Sequence, residues 1–195
     1  MLNKISVDST INNSFIDIGE YLYYKLKSEF DKNRPIVFLC IGSDRSTGDS
    51  LGPLVGHNLK NVRYNSKKIY VYGSLNYPIH CQNLQDTLNK IYTNFNDPFI
   101  VGIDAALGEF QNVGKVLINN SPLLPGLALE KDLTPVGELS IIGVVNINSK
   151  SQFMVLQNTR LNTVFNLAEA ISKGILYSIN KLIEYNSPSL FSNKI

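Results

Sequence analysis

The fold of this chain is decided by an apolar run and the polar turn after it, Ile36-Val37-Phe38-Leu39-Cys40-Ile41-Gly42-Ser43-Asp44-Arg45-Ser46-Thr47-Gly48-Asp49-Ser50-Leu51-Gly52-Pro53. Six apolar residues in a row are typical of a strand that is buried on both faces of a parallel sheet. Leucine and valine then recur at helical spacing to Leu59, and Gly52 and Pro53 suit only a first helical turn. The stretch therefore predicts a strand, a glycine-bearing turn and a helix.

The same alternation continues on both sides of this stretch. Strand patterns are followed or preceded by helical spacing, which predicts an α/β fold with a largely parallel sheet. A hairpin-like pair of strands before the last helix favours a mixed sheet. The other predicted helices are one from Phe15 to Phe30 that ends before Pro35, one from His80 to Tyr92, and a long one from Leu161 to Leu182. The other predicted strands are Ile69 to Gly73, Phe99 to Ile103, Val113 to Ile118 and Glu138 to Ile147.

Composition limits the possible roles of the chain. It has 195 residues, 44% of them hydrophobic, so we expect one domain over residues 1–195, with a helical segment at 1–34 packed on it. A net charge of +2 is too small for a nucleic-acid or membrane-surface protein. No signal peptide or membrane span is visible, and the two cysteines form no redox motif. We expect a cytoplasmic protein (the forespore compartment of a spore former included) without nucleic-acid or membrane partners.

Acidic residues follow two of the predicted strands. Asp49 ends the first loop, and Asp104 directly follows the strand Phe99 to Ile103. If these strands are neighbours, both acids face one crevice at the carboxyl edge of the sheet. Two carboxylates about 4 Å apart repel by roughly 4 kcal/mol, which favours a shared proton, a bound cation, or an acid–base pair. The alternative is structural: Asp49 caps the helix that opens at Ser50, and Asp104 binds loop amides.

Other catalytic patterns are weak or missing. The first loop lacks the lysine of a phosphate-binding P-loop and the spacing of a dinucleotide fingerprint, and the chain has no nucleophile elbow. Of the two histidines, His57 is expected to be packed or solvated on its helix, whereas His80 follows the second strand and can reach the crevice. Cys81 beside His80 is a weak nucleophile candidate, because adjacent residues rarely orient toward each other.

Two further features leave their interpretation open. Arg45 either holds a peptide carboxylate or supports Asp44, or it is a solvated loop residue. The loop from Ser121 to Pro135 contains several leucines together with glycine and proline. That composition suits a lid or a partner-docking loop, or an ordinary packed loop.

The first loop, Gly42 to Pro53, resembles the hallmark of the sporulation protein YyaC family, whose members are described as spore proteases. The resemblance covers nearly the whole chain beyond the N-terminal helix. It extends through Pro78-Ile79-His80, Gly102-Ile103-Asp104-Ala105, Pro125-Gly126, Pro135-Val136-Gly137 and Gln157-Asn158-Thr159-Arg160-Leu161.

That family is similar to the germination protease of spore formers and to hydrogenase maturation endopeptidases. The resemblance implies their three-layer α/β/α, phosphorylase/hydrolase-like fold. The germination protease has an acid before Leu-Gly-Pro, matching Asp49, and a second acid in an Asp-Ala segment, matching Asp104, so the resemblance implies catalytic roles for both. The maturation endopeptidases add a metal-contacting histidine further along the chain. No histidine follows Asp104 here, so nickel recognition would need His80 as a substitute.

Residues and resemblance together lead to one expectation. The chain is an endopeptidase acting on a protein or peptide made in sporulation or germination, with Asp49 and Asp104 as acid and base. The supporting residues are those of the first loop and one histidine: Gly42, Ser43, Asp44, Arg45, Ser46, Thr47, Gly48 and His80. No cofactor is expected, because two acids alone make a weak site for a divalent cation. The alternative is a non-catalytic sporulation factor that keeps the protease fold and binds a partner protein.

Overall fold

The computed structural model describes residues 4–60, 68–125 and 135–186. These ranges contain six strands and five α-helices, and short 3-10 turns lie at Gly48–Ser50 and Phe110–Asn112. The strands are β1 (Lys4–Asp8), β2 (Ile36–Cys40), β3 (Ile69–Tyr72), β4 (Phe99–Gly108), β5 (Lys115–Asn119) and β6 (Leu139–Ile147). The helices are α1 (Ser14–Asp31), α2 (Leu51–Leu59), α3 (Leu84–Asn94), α4 (Gln152–Gln157) and α5 (Leu161–Asn186).

The strands form one mixed sheet in the order β1-β5-β6-β4-β2-β3. The central strands are parallel: β2 pairs with β3 and with β4, and β4 pairs with β6. β5 is antiparallel to β6, and β1 is antiparallel to β5. The predicted α/β class and the mixed sheet are confirmed.

Helices cover both faces of the sheet. Alternate side chains of β2 point to opposite faces, as the pleat of a strand requires. Ile36, Phe38 and Cys40 pack with α1, α2 and α5, whereas Val37 and Leu39 pack with α3. All five residues of β2 are buried. The three-layer α/β/α arrangement is therefore confirmed, with α3 on one face and α1, α2 and α5 on the other.

The sequence did not predict the first strand. Residues 4–8 were included in a helical N-terminal segment, but they form β1, and the helix begins only at Ser14. β1 is a mostly polar edge strand whose Val7 is buried, so its apolar signal is short. α3 also begins at Leu84 rather than His80, which leaves His80 in the loop that precedes the helix.

The topology creates a crevice between β2 and β4. From β2 the chain proceeds to β3 on one side, and from β4 it proceeds to β5 on the other side. Such a switch point opens a crevice outside the carboxyl ends of the two strands, where ligands bind in open α/β sheets. The loop of Asp49 follows β2, and Asp104 belongs to β4.

None of the helices within residues 4–60, 68–125 and 135–186 combines the length and the apolar character that crossing a bilayer requires.

Candidate functional site

The first loop closes on itself through Gly42 and Asp49. The backbone N–H of Ser43 donates to the carbonyl of Asp49 at 3.0 Å. Gly42 has a φ of 143°, and a Cβ at this position would collide with the Asp49 carbonyl. Only glycine combines this backbone conformation with such a close approach. The loop geometry that presents Asp49 therefore depends on Gly42.

The Asp49 carboxyl is half-buried, and its surroundings favour the protonated form. Desolvation raises its pKa above the ordinary aspartate value of 3.8, while the Ser43 N–H and the charge of His80 oppose this effect. Burial disfavours the charged form of a carboxyl group, and donors or cations near it favour that form. Of these influences burial is the largest, so Asp49 holds its proton more tightly than an exposed aspartate does.

The structure brings His80 to the first loop. Ile41 and Ile79 form a parallel β-bridge, and the N–H of Gly42 donates to the Ile79 carbonyl at 2.8 Å. This bridge lies just beyond the last paired residues of β2 and β3, and it places His80, the residue after Ile79, beside the first loop. The sequence-based placement of His80 near the crevice agrees with this geometry.

Asn83 holds the His80 turn, a role that the sequence analysis missed. Its Oδ1 accepts from the His80 N–H at 2.8 Å, and its Nδ2 donates to the Pro78 carbonyl at 3.0 Å. The sequence does show an asparagine, a residue common at helix starts, directly before the apolar residues that recur at helical spacing in α3. Here the side chain fixes the preceding turn and makes no cap hydrogen bond to the helix.

The hydrogen bond at the His80 ring selects a tautomer. The backbone N–H of Gln82 donates to His80 Nδ1 at 3.3 Å, so Nδ1 is the acceptor in the neutral ring. The proton then resides on Nε2. The ring accordingly has a donor available on its other nitrogen.

Asp104 lies just beyond the end of β2, on the neighbouring strand. The last paired residues of β2 and β4 are Cys40 and Ile103, and Asp104 pairs across β4–β6 with Ile142. Asp104 is 8% exposed, and its Oδ1 accepts from the N–H of Ala105 at 2.8 Å. The expected adjacency of the two acid-bearing strands is therefore observed, whereas the shared role of Asp49 and Asp104 stays a prediction.

The charge of His80 acts on the Asp49 carboxyl, and the residues at the two helix starts beside Asp49 are Thr47 and Ser50, neither of which makes a side-chain cap hydrogen bond. The interpretation of Asp49 as a simple helix cap is therefore wrong. The amide that Asp104 binds, the N–H of Ala105, belongs to β4 and not to a loop, so the structural alternative for Asp104 stays a prediction.

The remaining residues of the first loop are divided between surface and packing roles. Asp44 and Arg45 are exposed, and in the described ranges Arg45 forms no ion pair with Asp44. Gly48 packs against helix α4, because a Cβ there would lie 2.8 Å from Leu156 Cδ2 and 3.0 Å from Thr159 Oγ1. The half-buried residues Ser46 and Thr47 complete the loop, and Thr47 accepts through its carbonyl from the Ser50 hydroxyl at 2.6 Å.

Comparison with known proteins settles the family. The family described as "Protein of unknown function (DUF1256)" matches residues 6–174. The chain belongs to this family. The "Uncharacterized protein YyaC" of Bacillus subtilis (strain 168) is 46% identical over 142 residues, which are 73% of this chain and 68% of that protein. The predicted resemblance to the YyaC family is confirmed.

Among solved structures, the chain is similar to the [NiFe] hydrogenase maturation protease HycI from Thermococcus kodakarensis KOD1. The TM-score is 0.42 and the sequence identity is 19%, over 78% of this chain and 99% of that chain.

The structure of this DUF1256 chain also describes the surroundings of the other candidates, His57, Cys40 and Cys81. His57 Nδ1 lies 3.0 Å from Lys60 Nζ on α2, which agrees with a solvated helical histidine. Cys40 is a buried core residue as expected, and burial raises the pKa of its thiol. Cys81 is exposed. Within the described ranges, no group of three or more His, Cys, Asp or Glu side chains is arranged to hold a metal ion.

The leucine-bearing loop is only partly described. Leu123 is buried, forms an isolated bridge with Val136, and packs against Gly102 of β4. Leu124 is exposed. Residues 126–134 lie outside the described part of the chain, and the lid or docking role predicted for the loop stays a prediction.

Proposed function

We propose that this chain is an endopeptidase that hydrolyses a protein made during sporulation, with its active site at the crevice between β2 and β4. The observation that carries this proposal is the in-register parallel pairing of these two strands at the switch point of the sheet. In this pairing Asp104, the residue of β4 just beyond its last pair with β2, lies next to the carboxyl end of β2, which the loop of Asp49 follows. Open α/β folds bind ligands outside the carboxyl ends of their strands.

The two acids take different roles in this proposal. Burial raises the pKa of Asp49, in the direction that a general acid requires. Asp49 therefore donates a proton to the leaving amine, and Asp104, which accepts the Ala105 N–H, activates the attacking water. An acid and a base that act on opposite sides of a peptide bond need no direct contact with each other.

His80 and the first loop support this chemistry. The charge of His80 opposes the effect of burial on Asp49, so His80 adjusts the proton affinity of the acid. The Ser43 and Arg45 N–H groups already donate within the loop, so the backbone N–H groups of residues 44 and 46–48 are the candidates for stabilising the developing oxyanion. The resemblance of Asp49 and Asp104 to the acids of the germination protease adds support from the sequence.

The proposal is tested by mapping new peptide termini. The full chain is incubated with a protein extract of sporulating Bacillus subtilis cells, and new amino termini are labelled and identified by mass spectrometry. We expect cleavage by the native chain, a loss of at least about 100-fold in Asp49→Asn, and little change in the control Asp17→Asn at an exposed position of α1. New termini that persist in Asp49→Asn would contradict the proposal.

The same extract distinguishes the rival function. A non-catalytic sporulation factor would generate no new termini with any variant but would retain a partner protein from the extract. That outcome would overturn the peptidase proposal.

A further inference from the structure

A groove of about 500 Å³ begins at His80 and follows helix α3. It lies beyond the carboxyl end of β3, the last strand at this end of the described sheet. One wall is formed by Asn83, Thr87 and Lys90 of the α3 region, and the opposite side by Tyr72 and Tyr77. Ile79, which also lines the groove, accepts from the N–H of Gly42 in the first loop at 2.8 Å, so the groove starts beside the loop that carries Asp49.

The two ends of the groove differ in chemistry. Residues 83, 87 and 90 lie on one face of a helix, and the rise from Asn83 to Lys90 is about 10 Å. An extended peptide covers this distance with about three residues. One end of the groove is therefore the His80 turn, and the other is a lysine ammonium about three peptide residues away.

Lys90 is available for a ligand. It is exposed, and it forms no ion pair with another residue of the described chain. Asp86 precedes it by one helical turn but does not line the groove. An ammonium group in an otherwise polar and aromatic groove complements a carboxylate.

Tyr77 is held by a tight turn at the opposite side of the groove. The backbone groups of Ser74 and Tyr77 exchange two hydrogen bonds of 3.1 Å, although the Tyr77 side chain is 80% exposed. A large aromatic ring on a constrained backbone offers contact area at a low cost in conformational entropy. Tyr72 of β3 lines the same side.

We propose that this groove binds an extended peptide segment that carries a carboxylate about three residues beyond the part of the peptide that lies at the His80 turn. The carboxylate is an aspartate or glutamate side chain or the carboxyl terminus of the chain, and Lys90 recognises it. This inference rests on the proposed function, since it assigns the specificity of that same site. It predicts a peptidase selective for acidic sequences.

Cleavage-site mapping tests the inference. Peptides from the extract are cleaved by native protein, Lys90→Ala, Lys90→Glu and the control Lys4→Glu, which changes an exposed lysine on β1 at the opposite edge of the sheet. We expect acidic residues to be enriched about two- to fivefold at one fixed position on one side of the cleaved bond, the range of one exposed ion pair. The enrichment should disappear in Lys90→Ala and invert toward lysine and arginine in Lys90→Glu. An unchanged profile in Lys90→Glu would overturn the inference.

A binding measurement distinguishes a failure of this inference from a failure of the proposed function. Fluorescence polarisation is measured with pools of randomised octapeptides, acetylated and amidated, that contain one fixed Glu, Gln or Lys, and with the Gln pool carrying a free carboxyl terminus. Tighter binding of the Glu pool identifies a side-chain carboxylate, and tighter binding of the free-terminus pool identifies a chain end. Either preference should be lost in Lys90→Glu and kept in Asp49→Asn and Lys4→Glu. Binding with this pattern but without cleavage would reject the peptidase and keep the groove, and equal binding of all pools would reject the groove.

Discussion

Asp49 is the residue on which the proposed chemistry most depends, and its environment contains opposing influences. Burial favours the neutral carboxyl, whereas the Ser43 N–H and the charge of His80 favour the carboxylate. A carboxyl group whose pKa is raised by burial destabilises the folded state at any pH at which the group is ionised. The native chain therefore gives up some stability at neutral pH to keep this acid in place.

We predict that Asp49→Asn is more stable than the native chain at pH 7 and that this difference vanishes in acid. The folded-state pKa is raised, so the native carboxyl favours folding most below its unfolded value of about 3.8 and loses that contribution as pH rises through the folded value. The asparagine is neutral throughout. Melting temperatures from pH 3 to pH 8 measure the difference, with Asp44→Asn as the exposed control. A difference that stays constant with pH would contradict the assignment of burial as the main cause.

We predict that His80→Ala reduces the peptidase activity but does not abolish it. Removing His80 removes a charge that lowers the pKa of Asp49, so the Asp49 carboxyl should titrate at higher pH. The pH profile of cleavage should therefore shift to higher pH. The control is His57→Gln on α2, whose histidine lies beside Lys60. A loss in His80→Ala as complete as that in Asp49→Asn would show that His80 is itself catalytic.

At the scale of elements, the buried strands were predictable and the edge strand was not. β2 and the first part of β4, Phe99 to Ile103, are runs without a polar side chain because helices cover both of their faces, and such runs are strong signals. β4 continues to Gly108, beyond its predicted end at Ile103, because Asp104 breaks the apolar run without ending the strand. β1 is short and mostly exposed, so five residues with one buried valine gave no clear period. The start of α3 was placed four residues early because His80 and Asn83 form a turn that resembles a helix start in sequence.

The contact between α1 and α5 depends on two glycines. A Cβ on Gly174 would collide with the Ile18 side chain, and a Cβ on Gly19 would lie 2.5 Å from Tyr177 Cδ1. The two glycines therefore leave the space that the side chains of Ile18 and Tyr177 occupy between the helices. Next to this contact, Glu20 accepts from the Tyr177 hydroxyl at 2.6 Å and from the Lys181 ammonium at 2.6 Å.

We predict that Gly174→Ala destabilises the chain by about 1–3 kcal/mol, the usual cost of overpacking a filled core. The intrinsic preference of helices for alanine over glycine offsets up to about 1 kcal/mol of this loss. Thermal or urea unfolding measures the effect. Asn180→Ala, at an exposed position of α5, serves as the control and should change stability little. Equal stability of Gly174→Ala and the native chain would show that the two helices can move apart at low cost.

At the scale of the whole molecule, an ionic cluster joins the segments that precede β2, β4 and β6, at the opposite end of these strands from the proposed site. Arg34 precedes β2 and pairs with Glu29 of α1 at 2.7 Å, with Asp97 before β4 at 2.9 Å, and with Glu138 before β6 at 2.7 Å. Its side chain is only 17% exposed. Burial opposes ionisation of Glu29, but hydrogen bonds from Arg34, Lys32 and Ser28 outweigh it and lower the pKa of Glu29. One arginine thus joins three segments that are distant in sequence.

We predict that Arg34→Met destabilises the chain by about 1–3 kcal/mol at pH 7, since Glu29 is then left buried without its main partner. The folded pKa of Glu29 is depressed, so its contribution is present above the unfolded value of 4.5 and is lost as pH falls through the folded value. The difference between Arg34→Met and the native chain should therefore shrink in acid. Lys32→Met is the control, because its lysine pairs with the same Glu29 but is 65% exposed. A loss in Lys32→Met as large as in Arg34→Met would contradict the role assigned to Arg34.

The candidate site was predictable in its residues but not in its assembly. The sequence placed Asp49 and Asp104 after buried strands, yet their proximity depends on β2 and β4 being neighbours, and strand order is a property of long-range pairing. The bond from Gly42 to Ile79 and the side chain of Asn83, which position His80, likewise join separate segments. The Arg34 cluster was missed for the same reason, because its acids are spread from residue 29 to residue 138.

The measurement that tests the central claim most directly is the cleavage rate of Asp49→Asn, Asp104→Asn and the double variant on peptides from the sporulating-cell extract. Residues that act as a unit show strongly non-additive effects. We expect each single variant to lose at least about 100-fold and the double variant to lose little more. Circular dichroism confirms that each variant is folded, and the control Asp17→Asn, at an exposed position of α1, should cleave at the native rate. Near-native cleavage by either single variant would show that Asp49 and Asp104 do not form one active site.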